Sequence, residues 1–114
     1  MIKDNSIFIF HILDSIENIE SFTQGVTKDD FIRNKEKQSA VVRQIEIIGE
    51  AVKNIPQSFR VQHPEIEWIK IAGIRDVVIH KYFDVSLDIV WEIVRGDIPV
   101  LKSKLQKIIK FEKS

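Results

Sequence analysis

The sequence predicts an all-α fold, a helical bundle of about five helices built from one domain. Three observations carry that prediction. Apolar residues recur at spacings of three and four along most of the chain. Only four glycines and three prolines interrupt the 114 residues. No segment shows the alternation of a strand, and there is no internal repeat or low-complexity stretch.

The first helix is expected over 5–23. Asp4 or Asn5 can cap it, and Ile9, Ile12, Leu13, Ile16 and Ile19 form its apolar face. Phe8, Phe10 and Phe22 widen that face, so more than one side needs cover. Gly25 ends the helix. Thr27 and Asp30 then have the spacing of an N-cap and its first-turn acid, opening a short turn through Phe31. The second long helix is expected over 35–54. Val41, Ile45, Ile48, Val52 and Ile55 make one stripe, and Ala40, Ile47 and Ala51 an adjoining one. Two apolar faces suit a central helix, or one facing a core and a subunit interface.

Pro56 stops that helix, and 57–64 reads as a polar connection. The third helix is expected to begin near Pro64 and Glu65, with proline in the first helical position, and to end near Phe83. Trp68, Ile69, Ala72, Val78 and Ile79 are its apolar residues. Asp84 or Ser86 can cap a fourth helix with Leu87, Val90, Trp91 and Val94, closed by Gly96. Asp97, Ile98 and Pro99 open a fifth, basic helix over about 98–112, with Ile98, Leu101, Leu105 and Ile108 on one side. Short connections favour antiparallel neighbours and an up-and-down arrangement.

Composition narrows the function classes. Hydrophobic residues are 44% and charged residues 30% of the chain, the balance of a globular protein. Cysteine is absent, which removes disulfides and thiolate metal sites and fits a reducing compartment. No run approaches the roughly 20 apolar residues of a membrane span. The start, Met1 to Asn5, is unlike a signal peptide, and the expected location is cytoplasmic. Basic and acidic residues balance at 17 each, but unevenly. Residues 1–30 carry two basic and six acidic side chains, whereas 99–114 carry five lysines and one glutamate. A lysine-rich C-terminal face is ordinarily a solvated helix face, and it can also approach phosphates.

Phosphate-binding loops, dinucleotide fingerprints, zinc motifs and nucleophile elbows are missing. The histidines are His11, His63 and His80. His11 lies among core positions of the first helix and reads as a boundary or core residue. His63, before a proline, reads as a turn residue. His80 stands with Arg75, Asp76 and Tyr82 near the end of an apolar helix. Asp76 and His80 are four apart, so the carboxylate can hold one ring nitrogen and fix the tautomer. Arg75 and Tyr82, seven apart, share a face. Arg75 and His80, five apart, stand about 140° around the helix from each other and do not converge within one chain. A twofold dimer pairing this helix with its mate would bring two arginines and two histidines into one groove.

Arginine offers a permanent charge and a planar donor fork for phosphate, and histidine moves protons near neutrality. Together they can break a phosphodiester without a metal. His80 takes the 2′-hydroxyl proton or protonates the leaving 5′-oxygen, and Arg75 stabilises charge on the phosphoryl oxygens. Such a reaction is confined to RNA, since DNA lacks the 2′-hydroxyl. The plainer reading is a surface ion-pair cluster of Arg75, Asp76 and His80 near a helix end. A metal site from Asp76 and His80 has too few ligands.

Arg75-x4-His80-x-Tyr82 resembles the Arg-x4-His-x-Tyr motif of HEPN-domain proteins, in their HepT-like branch. Ile48-Gly49-Glu50-Ala51-Val52 resembles the Gly-Glu-Ala element of that branch. Pro64-x-Ile66-x-Trp68-x2-Ile71-x-Gly73-Ile74-Arg75 is similar to the approach to its motif. Trp91 followed by Ile98-Pro99-x-Leu101 is similar to its closing segment. The likeness runs over about residues 5–105. It implies a single HEPN-like domain over 1–114, a homodimer, and a metal-independent endoribonuclease with no cofactor and the motif in the dimer groove. It also implies a toxin paired with an MNT-type nucleotidyltransferase antitoxin that transfers AMP to Tyr82. Arg75 and His80 would be catalytic. The residue after the motif arginine is commonly asparagine in this branch and is Asp76 here, which can support His80 but opposes RNA by its charge. Glu50, on an apolar helix, is expected to face the core or interface and to orient Arg75. Gly49 is expected at a close-packing site. The alternative is a non-catalytic nucleotide-binding or accessory subunit of a minimal nucleotidyltransferase.

Overall fold

The computed structural model describes residues 3–83 and 87–113, with side chains described for 7–78 and 87–110. Every regular element among the described residues is a helix, so the all-α prediction holds. The elements are α1 (Lys3–Thr23), α2 (Lys28–Arg33), α3 (Lys35–Lys53), α4 (Gln57–Gln62), α5 (Trp68–Phe83), α6 (Leu87–Glu92), a π-helical turn (Ile93–Asp97) and α7 (Ile98–Lys113). Among these residues no helix is long and apolar enough to cross a membrane.

α3 is the central helix, flanked by α1 and α5. Its predicted stripe of Val41, Ile45, Ile48 and Val52 is buried, and Ile55 just beyond it is too. It meets Ile9, Ile12, Ile16 and Ile19 of α1, Ile71, Ile74 and Val78 of α5, and Ile98, Leu101, Leu105 and Ile108 of α7 in one continuous core. Burying a side chain of that size contributes about 1.5–3 kcal/mol, so this shared core fixes how the helices stand.

The α1–α2 corner is built locally. Gly25 turns the chain at φ 71°, a left-handed value that glycine adopts without strain. Thr27 and Asp30 form the anticipated capping box: the Thr27 hydroxyl accepts from the Asp30 N–H at 3.1 Å and the Asp30 carboxylate from the Thr27 N–H at 3.3 Å. The capped segment is helical and puts Phe31 against Trp91, with ring centroids 5.2 Å apart. The buried Gln38 amide donates to the Phe31 and Ile32 carbonyls at 3.0 and 2.9 Å and ties α2 to α3.

Three expectations are corrected. The supposed connection 57–64 contains α4. Its Phe59 is buried, and its Arg60 donates to the Val52 and Ile55 carbonyls, closing the end of α3. The motif helix begins at Trp68, not near Pro64. Residues before it fold into a turn because the Trp68 indole donates to the His63 carbonyl at 2.9 Å and Ile66 is buried. Gly96 does not close a helix. The Ile98 N–H donates to the Ile93 carbonyl, and the wider π-helical turn carries α6 directly into α7. Arg95 fastens this turn, donating to the Val26 carbonyl at 2.8 Å with its guanidinium carbon 4.5 Å from the centre of the Trp91 ring. Lys70 joins α5 to it through Asp97 at 3.3 Å. That hydrogen bond, then the carboxylate's charge, raises the Lys70 amine above its ordinary range. The capping roles expected of Asp84 and Ser86 lie outside the described residues.

Candidate functional site

α5 runs unbroken from Trp68 to Phe83, so Arg75, Asp76, His80 and Tyr82 all belong to one helix. Its buried side is Trp68, Ile71, Ile74 and Val78. Arg75 sits at the edge of that side, where α5 meets α3. Its side chain is 32% exposed, so the aliphatic stem is covered while the charged head reaches the surface. Asp76, one position on, points outward and is 72% exposed.

Two carboxylates engage the Arg75 head. Nε lies 3.5 Å from Glu50 Oε2, and Nη1 lies 3.4 Å from Asp76 Oδ1. Glu50 comes from α3, directly after Gly49, so the pair bridges the two central helices. Of the two places expected for Glu50, the core or an interface, the core is excluded within this chain, and its partner there is Arg75 as expected. Glu50 is 60% exposed within the chain, because it stands at the rim of the α3–α5 contact. The ion pair it makes with Arg75 is open to solvent, and such a pair contributes up to about 1 kcal/mol. The arginine keeps donor capacity beyond these two contacts, since a guanidinium has five N–H groups.

The spacing predicts Asp76 beside His80, and the contact it makes among the described residues is with Arg75. The side chains of His80 and Tyr82 lie outside the described residues. The helical backbone through both sets their positions around the axis, with His80 about 140° from Arg75 and Tyr82 near its face. Arg75 and position 80 of one straight helix therefore stand apart.

The outward face of α5 carries Ile69, Gly73, Asp76 and Val77, spaced at four, three and one. Ile69 is 85% exposed and Val77 43%. Of the apolar residues expected on this helix, Ile69 therefore stays outside the core. The backbone position of His80 extends this face, four residues beyond Asp76. Ile69 is visible in the sequence as an apolar residue of this helix, but the period does not say that its side stays uncovered.

The other histidines have different surroundings. His11 is exposed, its ring edge-on to Phe8 at 6.5 Å, so it is neither core nor boundary. His63 ends α4 and is buried, with its ring centroid 4.5 Å from that of Phe59 and Nδ1 3.5 Å from Glu65. On the C-terminal helix, Lys102 pairs with Glu20 at 2.9 Å and Lys104 donates to the Glu65 carbonyl at 2.7 Å. Part of the basic charge there is thus spent on packing α7 in place.

Comparison with known proteins adds to this geometry. A family model described as "Ribonuclease HepT-like" matches residues 12–108. The chain is 50% identical over 109 residues to a Methanocaldococcus jannaschii protein named "Gamma-glutamylcyclotransferase and putative RNase", covering 96% of this chain and 49% of that one. It therefore spans about half the length of that relative. It is 44% identical over 110 residues to a Thermococcus cleftensis protein named "Probable ribonuclease HepT", covering 96% of this chain and 100% of that one. No solved structure matches.

Proposed function

The chain belongs to the HepT-like family of HEPN-type ribonucleases, and from that membership we propose that it is a metal-independent endoribonuclease whose site is assembled from two copies of α5. The observation that supports the site best is Arg75 itself. Its side chain is two-thirds covered and its head meets carboxylates from α3 and α5, at the edge of a helix whose outward face exposes Ile69 and Val77 beside Asp76. Pairing that face with a second copy would set the Arg75 of one chain near the His80 of the other.

In this reading His80 accepts the proton of the ribose 2′-hydroxyl. The 2′-oxygen attacks phosphorus, and the bond to the 5′-oxygen breaks. The imidazolium so formed returns its proton to that leaving oxygen. Arg75 stabilises the charge that grows on the non-bridging oxygens. Glu50 and Asp76 orient Arg75 and are not themselves in the bond changes. The products are a 2′,3′-cyclic phosphate and a 5′-hydroxyl.

Control follows from the same residues. An MNT-type nucleotidyltransferase antitoxin would place AMP on Tyr82: the phenol oxygen attacks the α-phosphorus of ATP and pyrophosphate leaves. A bulky anion near the face of Arg75 would repel RNA and fill its phosphate site. The protein would act in the cytoplasm as the toxin of such a pair.

The test is to analyse the ends left on RNA treated with the purified protein in chelator. A 2′,3′-cyclic phosphate and a 5′-hydroxyl are expected. Products bearing a 5′-phosphate, or cleavage restored only by added metal, would contradict the mechanism. Intact RNA combined with tight binding to the transferase would favour an accessory subunit. Adenylylation is read separately, as a mass increase of one AMP after co-expression with the transferase that disappears in Tyr82→Phe.

A further inference from the structure

Of the glycines, Gly49 alone has its missing side chain replaced by another residue's bulk. A Cβ at position 49 would lie 2.7 Å from Arg75 Cβ, 3.5 Å from Arg75 Cδ and 3.6 Å from the Ala72 carbonyl oxygen. The same addition at Gly25, Gly73 or Gly96 meets nothing within 4 Å. The bare α3 backbone at Gly49 is therefore the floor on which the stem of Arg75 lies. One residue further, Glu50 meets Nε of the same side chain. Two consecutive residues of α3 thus hold the arginine at its root and near its head. A glycine in a helix interior weakens the helix. Room for Arg75 is a physical reason to keep one here.

We propose that Gly49 is a positioning residue for Arg75, setting the height at which α5 lies on α3 and hence where the guanidinium stands. Its consequence for cleavage rests on the ribonuclease reading; the contact itself does not. Carbon atoms pack at about 3.5–4.0 Å, so an alanine methyl at 49 would push Arg75 Cβ away by about 1 Å. That atom is fixed to the α5 backbone and is not the free end of a side chain, so it cannot swing aside. The helix must shift, and the guanidinium leaves its place beside Glu50.

The experiment combines side-chain NMR of the full chain with cleavage kinetics. The Arg75 Nε–H resonance is assigned by its loss in Arg75→Lys. The wild type is expected to show a strong proton–proton Overhauser effect between Gly49 Hα and Arg75 Hβ. Gly49→Ala is expected to move the Nε–H resonance, as Glu50→Gln does, and to lower kcat about ten- to a hundredfold with KM nearly unchanged. An Nε–H signal that stays in place in Gly49→Ala overturns the proposal, even if cleavage is lost, because the loss would then be structural. If Gly49→Ala does not fold, the wild-type Overhauser effect decides: its absence overturns the contact. If the wild type cleaves no RNA, the ribonuclease reading fails, while both NMR measurements still judge the positioning.

Discussion

At the scale of single residues, Arg75 has two acidic neighbours that should act differently. Glu50 meets Nε from another helix and, in the proposed mechanism, would set its direction. Glu50→Gln is expected to change the urea midpoint little, since an exposed pair contributes up to about 1 kcal/mol, yet to lower kcat. Higher turnover in Glu50→Gln would mean that the carboxylate competes with phosphate instead. Asp76 is mostly exposed beside the arginine and adds negative charge where RNA would approach in the proposed mechanism. Asp76→Asn is therefore expected to lower KM at low salt, with the gain fading as salt screens the charge. A KM that is unchanged at every ionic strength would remove Asp76 from the approach of RNA. The sequence alone singles out Arg75, Asp76, Glu50 and the glycine beside it. It does not place Glu50 at the surface, because facing the core and standing at the rim of a helix contact differ by a fraction of a turn.

At the scale of elements, the long helices follow from their apolar periods, and their interruptions do not. Gly25 and the Thr27–Asp30 box are legible because each is a local device with its own chemistry. Gly25→Ala forces a left-handed backbone on a side chain and should cost about 1–2 kcal/mol of unfolding free energy. Thr27→Ala should cost about 1 kcal/mol by losing the cap, read by chemical denaturation. The elements that local patterns misread depend on distant contacts. α4 forms because Phe59 is buried and Arg60 reaches back to α3. The helix start at Trp68 depends on its indole reaching the His63 carbonyl. Gly96 reads as a stop, but the π-helical turn around it is pinned by Arg95 to Val26, 69 residues away in sequence. Gln38→Leu should cost about 1–3 kcal/mol, since it takes the amide donor from two backbone carbonyls between α2 and α3. A loss under a few tenths of that would show that water replaces the amide freely.

At the scale of the molecule, the proposed site is divided within one chain. Arg75 lies on the α3 side of α5, and the helical backbone sets His80 about 140° away. The outward apolar residues Ile69 and Val77 lie on the face toward which position 80 continues. A second α5 against that face would cover them and complete the site in one step. Val77→Glu is expected to convert the protein to a monomer by sedimentation, with helicity retained and cleavage lost. A fully active monomer would contradict a shared site. The most direct measurement mixes two inactive variants, Arg75→Ala and His80→Ala, after unfolding and refolding them together, and tracks RNA cleavage in chelator. A site shared between chains leaves one intact Arg75–His80 pair in each mixed dimer, so about a quarter of wild-type activity should return. No recovery, with mixed dimers shown to form, would contradict the account.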